Sequence, residues 1–215
     1  SPILDPLTLL AWAAAKAPNL EFGTAIYLLP LRQPVPAAKQ IACLDQICRG
    51  KFTLGVGVGG EYEKEFEACG IKVSERGARL TDSLKVLKKI WEGGKCSHEG
   101  ISANFSDLSI EPVPFDGSPP PIWAGGRSDA ALKRAAELCD GYISYVVTPE
   151  MYLSFLKKIE SFCSSKEDSH RPFDTAHHIF VRSDTTHEKS YELASEQLSK
   201  RYGMDFRNAT KKYVA

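Results

Sequence analysis

The segment "LEFGTAIYLLPLRQPVPAAKQIACLDQICRGKFTLGVGVGG" (residues 20–60) contains two apolar runs separated by a helical pattern. The runs cover residues 20–29 and 51–60, and residues 34–48 carry Leu and Ile at helical spacing after Pro34. Strands with continuous rather than alternating apolarity are typical of a parallel sheet whose faces are covered. The segment therefore predicts a strand–helix–strand unit of an α/β protein.

The same alternation continues along the chain. Further strands are predicted at 120–126, 141–147 and 175–183, and further helices at 5–19, 62–69, 75–91, 128–139, 149–163 and 186–202. A hairpin excursion is expected at about 95–115, inside a single domain that covers residues 1–215. Periodicity alone leaves both a doubly wound sheet and a (β/α)8 barrel open.

Composition excludes several classes of protein. The 27 basic and 27 acidic residues cancel, which argues against nucleic acid or an anionic membrane surface as a partner. The six cysteines form no C-x-x-C pair, so we expect reduced thiols and no metal site. No apolar run is long enough to span a membrane, and no signal peptide is visible. We therefore expect a cytoplasmic protein that acts on a small molecule.

The stretch "AGGRSDAALKRAAE" (124–137) has the pattern of an anion site. A strand ends in Gly125 and Gly126, and Ser128 caps the helix that follows, so the first backbone amides of the helix point towards the strand end. Helix amino termini bind phosphate through these amides, and Arg127 adds a cation. By contrast, "GVGVGG" (55–60) has G-x-G-x-G spacing at a strand end and is followed by acidic residues, whereas a dinucleotide site turns directly into a helix near the chain start.

Three separate stretches together resemble one family. They are residues 22–70, "ERGARLTDSLKVLKKIW" (75–91) and "PPPIWAGGRSDAALKRAAELCDGY" (119–142), and they resemble the luciferase-like monooxygenases, the bacterial-luciferase-like group of flavin- or deazaflavin-dependent oxidoreductases. The resemblance implies a luciferase-like (β/α)8 TIM barrel that binds FMN, or alternatively deazaflavin coenzyme F420, at the carboxyl ends of its strands. It also implies an oxidoreductase or monooxygenase, with NAD(P)H as a reductant, and we expect a homodimer.

The resemblance also assigns cofactor-binding residues. It implies a cis peptide bond between Ala25 and Ile26, in a strand that bulges against the flavin ring near Leu28. Gly57, Val58 and Gly59 are expected to line the ring or its ribityl chain. Gly125, Gly126, Arg127 and Ser128 are expected to hold the terminal phosphate. The sequence departs from the family pattern at Gly60, where members often carry a bulkier or charged residue.

No catalytic acid or base is assigned by the sequence. His177 and His178 are adjacent in a strand, so they face opposite sides of the sheet, and a core or surface role is the simpler interpretation of both. His98, His170 and His187 are expected in polar loops. Trp12, Trp91 and Trp123 are expected in the core, although Trp123 is close enough to the glycine loop to flank a ligand.

Two alternatives to a flavin enzyme stay open. One is a flavin-binding protein without catalysis, and the other is a phosphate-binding barrel enzyme that uses no flavin. A full barrel of this type has eight strands and about 250 residues. Counted against the family, the first two strands and the last are missing, so we expect an incomplete barrel that belongs to a longer protein or is closed by a partner.

Overall fold

The computed structural model describes residues 4–60, 62–163 and 172–213. Its elements in chain order are α1 (Pro6–Lys16), β1 (Phe22–Gly23), α2 (Pro34–Cys48), β2 (Phe52–Val56), α3 (Glu63–Ala68), α4 (Arg76–Trp91), β3 (Cys96–Glu99), β4 (Asn104–Leu108), β5 (Ile122–Gly125), α5 (Asp129–Leu138), β6 (Gly141–Tyr145), α6 (Pro149–Cys163), β7 (Asp174–His178), α7 (His187–Tyr202) and α8 (Arg207–Tyr213).

The helices begin where capping residues lie. Asp5 accepts a hydrogen bond from the Thr8 amide at 3.1 Å, and Pro6 and Pro34 occupy first helical positions, where a missing amide proton costs nothing. Ser128 and Thr186 cap α5 and α7 by accepting from amides three residues later. Local sequence therefore fixes these four starts.

Five strands form one parallel sheet in the order β1-β2-β5-β6-β7, and β3 and β4 form a separate antiparallel pair. In the register, Leu54 lies beside Ile122 and Val56 beside Ala124; these side chains are buried on the face towards the helices. The opposite face, called the inner face below, carries Gly55 beside Trp123. The α/β fold with a parallel sheet is as predicted.

The core lies between the sheet and a row of helices in which neighbours pack in the order α1, α2, α4, α5 and α6. Trp91 is buried in α4, and its indole N–H donates to the Ala38 carbonyl of α2 at 3.0 Å. Burial of the ring together with a satisfied donor stabilises this helix pair.

Some expectations about elements and side chains are wrong. The strand expected at 20–29 is only Phe22–Gly23 plus a single bridge from Tyr27 to Val56, because Leu29–Leu31 turns as a 3-10 helix. Helix α8 was not expected. Trp12 is 63% exposed rather than in the core.

His98 is not in a polar loop. It is buried in β3 and contacts Asp82 of α4, with Nε2 and Oδ1 2.8 Å apart. His187 begins α7, and His170 lies outside the described residues. No disulfide joins any of the six cysteines, all of which are described. Within the described ranges, no helix is both long and apolar enough to cross a bilayer.

Candidate functional site

Three glycines on the inner face converge on one side chain. A Cβ atom added at Gly57 would lie 1.7 Å from Ile26 Cδ1, and one added at Gly125 would lie 3.5 Å from Ile26 Cγ2. A Cβ at Gly55 would lie 1.9 Å from the Thr24 carbonyl oxygen and 3.7 Å from Ile26 Cγ2. The missing side chains therefore make room for Ile26 and the Thr24 carbonyl at the carboxyl ends of β1, β2 and β5, and we call this place, which Ile26 fills, the glycine trough.

The chain around the trough is fixed by hydrogen bonds between β1 and β2. The bond between Ala25 and Ile26 is cis, as the resemblance implies. On one side of it the Thr24 hydroxyl donates to the Gly55 carbonyl at 2.7 Å, and on the other the Tyr27 amide donates to the same carbonyl at 2.7 Å. Both bonds hold Ile26 over the trough, where it is 38% exposed.

The remaining residues expected near the ring lie around this point. Leu28 packs on Gly59, where an added Cβ would be 3.2 Å from both Leu28 methyl carbons. The Val58 side chain is half-buried and packs in part against the hydrophobic core. Ala25 is exposed next to Ile26.

The β5–α5 loop has the geometry of a phosphate site. Gly126 has φ +136°, and an added Cβ would lie 2.6 Å from Ala131 Cβ, so only glycine fits this turn. Ser128 is exposed and accepts from the Ala131 amide at 3.3 Å, at the start of a ten-residue helix. The preceding amides of the first turn have no partner within the helix and form an anion-binding end.

Neighbouring groups set the charge and shape of this loop. Arg127 is exposed, and its Nη1 lies 3.4 Å from the Val146 carbonyl across the mouth of the sheet. The Asp129 carboxylate is paired with Lys158 at 2.7 Å, which offsets its repulsion of an anion. Tyr142, fully buried in β6, donates its hydroxyl to the Gly126 carbonyl at 2.8 Å. Burial raises the pKa of Tyr142 to about 12, so the hydroxyl stays a donor at neutral pH.

Gly60 is explained by a neighbouring side chain. A Cβ at Gly60 would lie 3.1 Å from the Arg76 guanidinium carbon, and Gly60 has φ +110°. Arg76, the first residue of α4, therefore occupies the space that a larger residue at position 60 would take.

The structure brings the ten expected cofactor residues to one edge of the sheet in two groups. The group at the ends of β1 and β2 is Ala25, Ile26, Leu28, Gly57, Val58 and Gly59, and the group at the end of β5 is Gly125, Gly126, Arg127 and Ser128. The sequence analysis did not select Gly55 or Tyr142, which belong to this site in the structure. The two-residue spacing of Gly55 and Gly57 was a usable signal for Gly55, because alternate strand residues share a face.

The trough and loop match the shape that a flavin needs. The three glycines let Ile26 lie against the sheet, and its exposed part gives a flat ring a surface to rest on. A terminal phosphate requires unpaired amides, which the start of α5 provides. The residues present therefore fit the group.

The sequence profile of the family described as "Luciferase-like monooxygenase" matches residues 1–213. Among curated proteins, an FMNH2-dependent dimethylsulfone monooxygenase of Pseudomonas putida is 34% identical over 114 residues, 52% of this chain and 31% of its own length. An F420-dependent glucose-6-phosphate dehydrogenase of Kineococcus radiotolerans is 30% identical over 141 residues, 64% of this chain and 41% of its own. The chain spans about half the length, 48%, of an uncharacterised Mycobacterium tuberculosis protein that it matches at 29% identity over 66% of the chain.

Solved structures share the fold. A type II Baeyer–Villiger monooxygenase from Pseudomonas putida in complex with FMN has a TM-score of 0.75 and 22% identity, over 97% of this chain and 64% of that one. An F420-dependent secondary alcohol dehydrogenase in complex with an F420–acetone adduct has a TM-score of 0.81 and 17% identity, over 95% and 69%.

Proposed function

Because the chain belongs to the luciferase-like monooxygenase family, we propose that it binds a flavin and acts as an oxidoreductase or monooxygenase on a small organic substrate. FMN is the first candidate and coenzyme F420 the second, since relatives named for each are similar to this chain. NAD(P)H is the proposed reductant.

The observation that carries the proposal is the glycine trough. Backbone without side chains at Gly55, Gly57 and Gly125 lets Ile26 pack down onto the sheet, so a flat ring would lie on the partly exposed Ile26 side chain. The amides at the start of α5, beside Ser128, would hold the phosphate at the same edge of the sheet.

The bound flavin would supply hydride transfer and, as reduced FMN, activation of oxygen. The chain's own residues would bind and orient it. The Tyr142 hydroxyl holds the Gly126 carbonyl and keeps the phosphate loop in place, and Ile26 limits how deeply the ring can enter the trough.

We also propose that the five parallel strands are neighbours in a (β/α)8 barrel, which the likeness to solved barrels of the family supports. A homodimer in the cytoplasm remains part of the proposal. Light scattering during gel filtration tests the dimer, and cell fractionation tests the location.

An absorbance spectrum and a fluorescence titration test the flavin proposal. Purified protein is mixed with FMN, riboflavin or F420, and the loss of flavin fluorescence gives each dissociation constant. We expect FMN or F420 to bind more tightly than riboflavin, because riboflavin lacks the phosphate. If the protein quenched the fluorescence of neither FMN nor F420, the proposal would be contradicted.

Substitution of Ser128 tests the phosphate loop. We expect Ser128→Ala to weaken FMN binding about tenfold, since a hydrogen bond to a charged group is worth about 1.5 to 3 kcal/mol. Riboflavin affinity should stay unchanged in the same variant. An equal loss for FMN and riboflavin would show that Ser128 matters only as the cap of α5.

A further inference from the structure

A second group of side chains lies at the same edge of the inner face. Gly125 pairs with Ile143, and two residues further along, at the carboxyl ends of β6 and β7, Tyr145 pairs with His178. Since alternate strand residues share a face, Tyr145 and His178 lie on the inner face with Gly125. None of the ten cofactor residues expected from the sequence comes from β6 or β7.

The side chains here form an aromatic group. The rings of Tyr145 and His178 meet edge to face with centroids 5.4 Å apart, and Phe180 lies 5.5 Å from His178 and 5.9 Å from Tyr145. Such centroid distances are those of favourable aromatic contacts. The three rings form a wall rather than isolated surface residues.

A fourth ring reaches this wall from α7. The Tyr202 hydroxyl is hydrogen-bonded to the Tyr145 hydroxyl, which attaches the end of α7 to the end of β6. Tyr202 also stacks on Phe206, with centroids 4.7 Å apart. We call Tyr145, His178, Phe180 and Tyr202 the mouth cluster.

The orientation of the two neighbouring histidines separates their roles. His177 faces away from the inner face, stacks on Tyr152 of α6 at 5.0 Å, and lies with Nε2 3.2 Å from the Val147 carbonyl. His178 faces the mouth. Its pKa is lowered by burial, with further contributions from Arg201 and His177, so the ring is neutral at pH 7 and offers one donor and one acceptor.

We propose that the mouth cluster binds the substrate, and that the substrate is a neutral organic molecule with a planar ring and a carbonyl or hydroxyl oxygen bound by His178. The proposal rests on the proposed flavin function. The rings supply apolar area for a planar molecule. A neutral substrate is favoured because the cluster consists of uncharged rings, and Arg201 is exposed with its guanidinium carbon 5.7 Å above the Tyr202 ring.

Ligand-observed saturation-transfer NMR tests the proposal on the full chain without a flavin. Acetophenone, a neutral aromatic ketone, is the probe, and benzoate is the anionic comparison. We expect acetophenone to receive magnetisation from the native protein, and its affinity to fall about three- to tenfold in His178→Ala and Tyr202→Ala. His187→Ala, at an exposed position at the start of α7, is the matched control and should not change it.

Two further variants separate ring contact from hydrogen bonding. Tyr202→Phe keeps the ring and should keep most of the affinity. This variant also serves as the test if circular dichroism shows that Tyr202→Ala does not fold. His178→Phe keeps a ring without polar atoms and should still lose affinity for the ketone.

Several results would overturn the proposal. They are no saturation transfer from the native protein, equal binding of benzoate and acetophenone, or full binding by His178→Phe. A separate FMN titration of each variant should give dissociation constants within about twofold of native, well under the tenfold that 1.4 kcal/mol represents. A larger loss would assign the cluster to the cofactor instead. Failure of native protein to bind FMN would contradict the flavin function alone.

Discussion

At the scale of single residues, Gly55 and Gly57 have different costs of substitution although they point to the same trough. A Cβ at Gly57 would meet the end of the Ile26 side chain, which can rotate away. A Cβ at Gly55 would meet the Thr24 carbonyl oxygen, which is backbone and cannot move without moving β1. Because protein interiors are closely packed, the second collision destabilises the folded protein more.

These two glycines give a matched pair of variants. We expect Gly57→Ala to lose less than about 1 kcal/mol of unfolding free energy while its FMN affinity falls, because the methyl group displaces the Ile26 side chain into the space that the ring would take. Gly55→Ala should lose about 2 kcal/mol or more, as core overpacking does. Urea denaturation and FMN titration of both proteins measure this. Equal stability losses would show that the trough is not shaped as described.

Asp45 is a buried carboxylate whose effect on folding stability depends on pH. Its Oδ2 accepts from the Phe115 amide at 2.8 Å, while Oδ1 is buried and has no hydrogen-bond partner among the described residues. Burial raises the pKa of Asp45 above 3.8 despite that hydrogen bond. A raised folded-state pKa means that the folded protein binds the proton more tightly, so stability falls as pH rises from about 3.8 through the raised value.

Asp45→Asn should therefore change the pH profile of stability. We expect the unfolding free energy of the native protein, relative to the variant, to decrease as pH rises from 3.8 through the raised pKa of Asp45 and then to level off, since the amide does not ionise. Denaturant unfolding at a series of pH values measures the difference. Parallel curves for the two proteins would refute it.

At the scale of elements, a buried arginine joins α4 to α5. Arg134 is 8% exposed; its Nε donates to the Thr81 hydroxyl at 2.9 Å and its Nη2 to the Gly77 carbonyl at 3.1 Å. Burial lowers the pKa of Arg134. Desolvation of the guanidinium opposes the gain from its hydrogen bonds, so packing of the side chain is the larger contribution.

Variants at Arg134 separate packing from charge. We expect Arg134→Met, which keeps the length without the charge, to lie within about 1 kcal/mol of native stability. Arg134→Ala should lose about 2 to 4 kcal/mol, because it leaves a cavity between two helices. Thermal and urea unfolding report both values. Equal losses for Met and Ala, both of which remove the charge, would mean that the charge and its hydrogen bonds dominate.

The elements that could be predicted from the sequence are those with local signals. Capping residues and helical periodicity placed α2, α4, α5, α6 and α7 to within about two residues. β1 was predicted too long because its apolar run continues through Leu29, which is buried in a 3-10 turn rather than a strand. Apolarity reports burial, and burial alone does not distinguish a strand from a turn.

The prediction of side-chain environments was weaker because these depend on distant segments. His98 is buried because Asp82, sixteen residues earlier, accepts its hydrogen bond. The glycine trough could be predicted in part, because Gly57 and Gly125 were chosen from their motifs. The mouth cluster could not, since Tyr202 meets Tyr145 only through the path of α7.

At the scale of the whole molecule, the parallel sheet has two outer strands. In the described part of the chain, β1 and β7 each pair with only one strand of the sheet. Directly after β7, Ile179 is 49% exposed and Val181 is 69% exposed. An apolar segment that continues an edge strand is a site where copies of a chain pair with each other.

Val181→Lys should therefore reduce self-association of this chain, because a charge on an edge segment is a natural defence against edge-to-edge pairing. We expect the concentration-dependent rise in light scattering to be smaller for this variant, with no change in unfolding midpoint, since the side chain is exposed. Met204→Lys, at a position 62% exposed beyond the end of α7, is the control for added charge alone. If both lysine variants reduced scattering equally, net charge rather than the edge of β7 would control association. If only Val181→Lys did so, the edge next to β7 would be the surface through which copies of the chain meet.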